Sequence, residues 1–116
     1  MARTTLTVNT ISRIGVDSAD TLAAANVDGH YVQNSGDVFL EVLNENVAAC
    51  TVTVQTPRTV DGLAVAEMAV VVAQDERMLI GPFPVNTFNQ VSANPGCIYV
   101  DFSAVADVTV AAWRLG

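Results

Sequence analysis

The sequence predicts an all-β domain, an antiparallel β-sandwich or jelly-roll-like barrel of about eight short strands with an N-terminal arm. Three observations predict it. Val and Ala dominate an apolar fraction of 51%, and many lie two residues apart, the period at which side chains share one face of a sheet. Turn-forming clusters recur about every eight to twelve residues. No crossover helices are available to build a parallel sheet. Residues 1–27 are assigned to an arm or extended segment and residues 28–116 to a single sandwich domain, with no linker or internal repeat.

The N-terminal stretch alternates loosely through Leu6, Val8, Ile11, Ile14 and Val16 and reads as a strand or an extended arm. Asp17–Asn26 has an N-cap candidate and Ala-rich filling, which allows one or two helical turns or a loop. His30-Tyr31-Val32-Gln33 and Val38–Asn44 flank Asn34-Ser35-Gly36, and the short gap predicts a hairpin. In the second of these strands Val38, Leu40 and Val42 form one face, and Phe39, Glu41 and Leu43 the other. With both faces largely apolar, this strand is expected at the centre of a sheet or covered on both sides. Cys50–Thr56 is the clearest strand: Cys50, Val52 and Val54 face the core, and Thr51, Thr53 and Gln55 face solvent.

Pro57 ends that strand, and Asp61-Gly62 supplies a turn. Leu63–Ala73 forms one long strand or two short ones, and Gln74-Asp75-Glu76 turns into Arg77–Ile80. Gly81-Pro82-Phe83-Pro84 is a rigid corner, because proline fixes its own φ and disfavours helix in the residue before it. A second extended run is expected after the corner, then a loop to Gly96. Cys97–Phe102 and Asp107–Leu115 close the domain. In the last strand Val108, Val110 and Ala112 lie on one side, and Thr109, Ala111 and Trp113 on the other.

At 116 residues the chain is long enough to bury roughly two-thirds of its unfolded surface. Nothing in it is apolar for long enough to span a membrane, and Met-Ala-Arg-Thr-Thr lacks the apolar core of a secretory signal. The net charge of −7, with five Arg and no Lys, provides no basic face for nucleic acid and repels anionic membranes. The charge is uneven. Residues 1–16 hold Arg3 and Arg13 and no acid, leaving three arginines against twelve acids in the remainder. These two arginines could dock on an acidic neighbour or simply be solvated on a tail.

The chemistry-bearing residues are sparse. Cys50 and Cys97 read as reduced buried thiols, although a disulfide stays open if their strands adjoin. With the single His30 they offer no metal-ligand spacing. His30 is also the only candidate base for a Ser/His/Asp arrangement, and no nucleophile elbow accompanies it. Asp75, Glu76, Asp101 and Asp107 are the carboxylates a glycosidase would draw on, and they read more simply as turn and edge residues. Asp17, Asp20 and Asp28 lie close together but lack the spacing of an EF-hand. Phe83, Phe88 and Trp113 read as core and corner anchors unless exposed, in which case they mark an interface. The reading assigns no catalytic residue, metal or cofactor.

Asp28-Gly29-His30-Tyr31, Asn34-Ser35-Gly36, Val38–Asn44, Thr51–Pro57, Thr59-Val60-Asp61-Gly62-Leu63-Ala64-Val65, Ile80-Gly81-Pro82-Phe83-Pro84 with Phe88-Asn89, and Val108–Leu115 occur in this order. Together they resemble small β-rich virion proteins of tailed bacteriophages, some of which decorate or cement the capsid. The resemblance covers residues 28–115, and the combination with Gly-Pro-Phe-Pro is its most specific part. It implies a non-enzymatic decoration protein on the outer head surface, made in the host cytoplasm. It further implies the major capsid protein as partner and a homo-oligomer, with trimers suited to threefold positions. On that footing the capsid contact is expected at Arg3 and Arg13, and the subunit interface at Phe83, Val85 and Phe88. Alternatives are a tail, baseplate or head–tail junction protein, then a carbohydrate-binding module or adhesin, and last an enzyme.

Overall fold

Strands that alternate apolar with polar side chains need a second layer to cover the apolar face, and here two sheets cover each other. The computed structural model describes residues 3–17, 21–57, 59–64, 66–91 and 94–114. Their strands are β1 (Thr4–Thr5), β2 (Val8–Thr10), β3 (Ala23–Ala24), β4 (His30–Gln33), β5 (Val38–Asn44), β6 (Cys50–Val54), β7 (Thr59–Val60), β8 (Leu63–Ala64), β9 (Met68–Val72), β10 (Glu76–Ile80), β11 (Cys97–Phe102) and β12 (Val108–Arg114). The single helical turn is α1 (Val85–Phe88). Sheet A has the order β1-β4-β11-β6-β9. Sheet B has the order β10-β5-β12-β2, with β3 also paired to β12, and β7 and β8 form a separate ribbon. The protein is a β-sandwich; its sheets do not close into a barrel.

The core lies where the alternation places it. Val32, Cys50, Val52, Val54, Val72, Ile98 and Val100 come from sheet A and Val38, Leu40, Val42, Ile80, Val108, Val110 and Ala112 from sheet B, all buried. Each fully buried Val or Leu side chain contributes about 1.5–3 kcal/mol of apolar burial. β5 is central, as its two apolar faces predict. It pairs antiparallel with β10 from Leu40↔Ile80 to Asn44↔Glu76, and with β12 along its whole length from Val38↔Arg114 to Asn44↔Val108.

Four expectations are corrected. First, β4 and β5 are not a hairpin: β4 belongs to sheet A and β5 to sheet B. Residues 34–37 bridge the sheets around Asn34, which is buried. Its Nδ2 donates to Phe83 O (2.9 Å) and Asn89 Oδ1 (2.6 Å), and its Oδ1 accepts from Gly36 N (3.0 Å). Second, the chain after the corner is not extended. Phe88 N–H donates to Pro84 O and Asn89 N–H to Val85 O, so 85–88 coil into one helical turn. That turn sets Phe88 edge-on against Phe83, with ring centroids 5.5 Å apart. Third, of the two readings of Asp17–Asn26, helical turns or a loop, the helical one falls for the described part, where Ala23–Ala24 form β3; residues 18–20 lie outside the described residues.

The fourth concerns the arm. Thr4–Thr5 run parallel to β4, and Val8–Thr10 run parallel to β12. Between them the chain passes from sheet A to sheet B at Leu6, which is buried. The residues assigned to an arm thus form one margin of both sheets. Leu63–Ala73 resolves into two short strands, β8 and β9. Both thiols are free, and Cys50 is buried with its Sγ 3.2 Å from Ala104 O.

The corner itself depends on Gly81, at φ +144°. A methyl group there would come within 2.8 Å of Phe39 Cβ and 3.0 Å of Val38 O. Glycine alone lets the corner lie this close to the start of β5.

Candidate functional site

A sandwich has two outward faces, and in this protein they differ. On sheet A the outward residues of β4, β6 and β11 are mostly polar or hydroxylated, among them Tyr31, Gln33, Thr51, Thr53, Tyr99 and Asp101, while the edge strand β9 turns Ala69 and Val71 outward. On sheet B the outward side of β5, β10 and β12 carries Phe39, Glu41, Leu79, Ala111 and Trp113. Cross-strand register explains the contacts. Glu41 stands opposite Leu79 on one side and Ala111 on the other, so Arg77 and Trp113 are its diagonal neighbours, within reach of long side chains.

Both carboxylate oxygens of Glu41 are used. Trp113 Nε1–H donates to Oε1 at 3.0 Å, and an Arg77 guanidinium N–H donates to Oε2 at 2.6 Å. The Glu41 side chain is only 6% exposed, whereas Arg77 is 44% exposed. A buried charge is tolerated only when paired and hydrogen-bonded. This carboxylate fixes the indole of Trp113, itself 4% exposed. It acts as a support beneath an apolar surface.

Above that support the chain leaves β2 with Ile11 N–H donating to Arg114 O (3.0 Å). Ile11 and Val16 then line, with Phe39, Glu41, Leu79 and Trp113, a shallow cleft of about 260 Å³. A second cleft of about 430 Å³ lies between Phe39, Leu79, Gly36, Asp37 and the Ile80-Gly81-Pro82 corner. The clefts share Phe39 and Leu79 and so form one groove. Of its lining residues Leu79 is 67% exposed, Val16 43% and Ile11 39%. Scattered exposed apolar residues are ordinary; three gathered on one face backed by aromatic side chains are characteristic of an interaction surface.

The residues singled out from sequence fall in three places. Arg3 is committed within the chain: NH1 lies 2.7 Å from Asp101 Oδ1 and donates to Val100 O at 3.3 Å, and the guanidinium sits 4.3 Å over the Tyr99 ring. It therefore pins β1 to sheet A instead of reaching outward. Arg13 is exposed in the turn between Ile11 and Val16 and has no ion-pair partner among the described residues. Phe83 is fully buried and Phe88 nearly so. Of the three residues expected at a subunit interface, only Val85, 41% exposed, is presented to solvent. The two phenyl rings anchor the corner to the core because α1 turns them towards each other.

The remaining candidates have structural partners. His30 is buried; its Nε2 accepts from Asn26 N–H at 3.1 Å, so Nδ1 carries the proton towards Thr4 O (3.3 Å) and Thr4 Oγ1 (3.1 Å). Burial lowers its pKa, helped by Arg3 and opposed by the hydrogen bond to Thr4 O. Asp101 accepts from Gln55 Nε2 at 2.6 Å as well as from Arg3. Asp75 and Asp107 hold left-handed turn positions, and Glu76 accepts from Ala73 N–H. Asp28 N–H caps onto Asn26 Oδ1, and Asp20 lies outside the described residues. Among the described residues no three His, Cys, Asp or Glu side chains converge as a metal site would require.

The chain matches no protein-family model, no curated protein and no solved structure. The apolar face of sheet B is the candidate site that the geometry presents. Sequence reasoning assigned no role to Glu41 because its partners Arg77 and Trp113 are distant in the chain. The available signal was the apolar second face of β5 together with Trp113 on the outward side of β12.

Proposed function

We propose that this chain is a non-enzymatic virion structural protein of a tailed bacteriophage, bound to the outer surface of the head through the outward face of sheet B. The observation that carries the reading is the groove over Phe39, Leu79 and Trp113, rimmed by exposed Ile11 and Val16. The ordered motifs between Asp28 and Leu115 support the phage assignment. Arg13, exposed in the turn between the groove residues Ile11 and Val16 and without an ion-pair partner among the described residues, keeps the role expected of it as a contact to acidic groups, while Arg3 does not. Attachment to the assembled shell alone would stabilise that state by mass action, and many weak copies would give avidity.

Quantitative mass spectrometry of purified virions tests this. One copy per shell subunit, or per few subunits, supports the head-surface reading. A handful of copies moves the protein to a tail or junction, and complete absence from particles overturns the proposal. On isolated shells, Leu79→Asp combined with Val16→Asp is expected to abolish binding while the sandwich remains folded.

A further inference from the structure

Strand β9 ends sheet A: β6 pairs with one side of it, and no strand among the described residues pairs with the other. The ladder shows which of its groups point outward. Gln55 N–H donates to Tyr99 O, and Ser103 N–H donates to Thr51 O. Residues 51, 53 and 55 therefore turn their backbone groups towards β11. By alternation Cys50, Val52 and Val54 turn theirs towards β9, where they meet Val72, Val70 and Met68. Ala69 and Val71 are left directing N–H and C=O away from the sandwich.

Free edges in soluble proteins are normally guarded by Pro, Lys, a bulge or an inward charge. Met68-Ala69-Val70-Val71-Val72 has no Pro, Lys or other charged residue. Val71 is 60% exposed, Ala69 is exposed, and Val70, on the core side, is only partly covered. We propose that β9 pairs antiparallel with β9 of a second copy about a twofold axis at Val70, joining two A sheets into one continuous sheet.

Charge selects this edge for a second copy. At −7, two copies repel across most of their surfaces, but β9 has no ionisable residue. β10, the corresponding edge of sheet B, has Glu76 and Arg77, and β1 offers only Thr4–Thr5. Register follows from the same argument. With Val70 opposite Val70, Ala69 of each copy faces Val71 of the other as a hydrogen-bonded pair; Glu67 comes opposite Ala73, whose N–H and C=O are already bonded to Glu76, so the shared ladder ends there. Sliding one copy by two residues sets Glu67 either against Asp75, a like charge, or over the exposed Val71. The centred register is the one that joins uncharged backbone to uncharged backbone. It also replaces the expected threefold arrangement with a twofold one, and it stands independently of the virion reading.

Sedimentation velocity on the isolated full chain, from low to high micromolar, tests the pairing. The wild-type mass is expected to rise from 12.2 kDa towards twice that value. Val71→Pro removes only an outward N–H, and Val71→Lys places a charge on an exposed position; each is expected to weaken association about tenfold or more. Circular dichroism and the thermal midpoint establish that each variant is folded, and the lysine variant serves if the proline variant is not. A wild-type monomer at every concentration, a closed trimer, or association unchanged by Val71→Lys would each overturn the proposal.

Discussion

The two outward faces of the sandwich each carry an arginine–carboxylate pair, and the pairs do different work. On sheet A, Arg3 and Asp101 are joined at 2.7 Å with side chains 21% and 36% exposed. On sheet B, Arg77 and Glu41 are joined at 2.6 Å, but the glutamate is 6% exposed and also holds Trp113. The first pair tacks a two-residue strand onto an already solvated face. The second is built under an apolar surface, where losing either partner leaves a polar atom without water. Similar distances thus describe contacts of unequal energy, and burial decides which matters.

The sharpest way to break this comparison is to remove an aromatic residue from each face. Trp113→Ala is expected to cost about 3–5 kcal/mol in chemical denaturation, because it empties a buried site beside Phe39 and leaves Glu41 Oε1 unpaired. Tyr99→Ala, which gives up a ring under Arg3, is expected to cost about 1 kcal/mol or less. The carboxylates come next. Glu41→Ala should cost about 2–3 kcal/mol, less than for a fully buried pair because Arg77 can rehydrate. Asp101→Ala should stay within about 1 kcal/mol. Equal losses for the two carboxylates would remove the distinction between the faces.

A third test uses pH. His30 stitches Thr4 to Asn26 at the sheet A margin, and burial holds its pKa below the ordinary 6.5. The unfolded chain therefore binds the proton more readily, and stability rises with pH in this range. The contribution is fully present above pH 6.5 and falls away as the pH drops below it, since a protonated Nε2 would confront the Asn26 N–H. Thermal midpoints at neutral and mildly acidic pH should show this loss in the wild type and a smaller one in His30→Gln. The smallest effect on stability belongs to the groove. Leu79→Asp should change unfolding free energy by no more than about 0.5 kcal/mol, since the side chain is already largely in water.

Much of the sandwich was legible in the sequence because β6 and β12 alternate cleanly and β5 is apolar on both faces. Cys50, Val52, Val54, Val108, Val110 and Ala112 all point inward as their spacing requires. Strand pairing was less legible. The gap at residues 34–37 suits a hairpin or a bridge between sheets equally well. What decides is the buried Asn34 amide, whose partners lie at Phe83 and Asn89. Strands of two or three residues, such as β1 and β3, are too short for alternation to register at all. The candidate site was hidden for the same reason: Glu41 has a meaning only in the company of Arg77 and Trp113, distant in the chain and adjacent in register.

The links between β4 and β5, β5 and β6, β9 and β10, β10 and β11, and β11 and β12 all cross from one sheet to the other. Their effect reaches beyond architecture to the order in which the protein can assemble. β4 finds its main partner in β11, and β5 its longest in β12, so neither sheet can be completed from the first ninety residues. Contacts this distant in the chain make for slow folding with few local rewards. On the ribosome, β4 and β5 must wait with open edges until residues 97–114 emerge. The last strands made lock both layers at once, so folding should be all-or-none, and a chain truncated before β11 should not hold a sandwich.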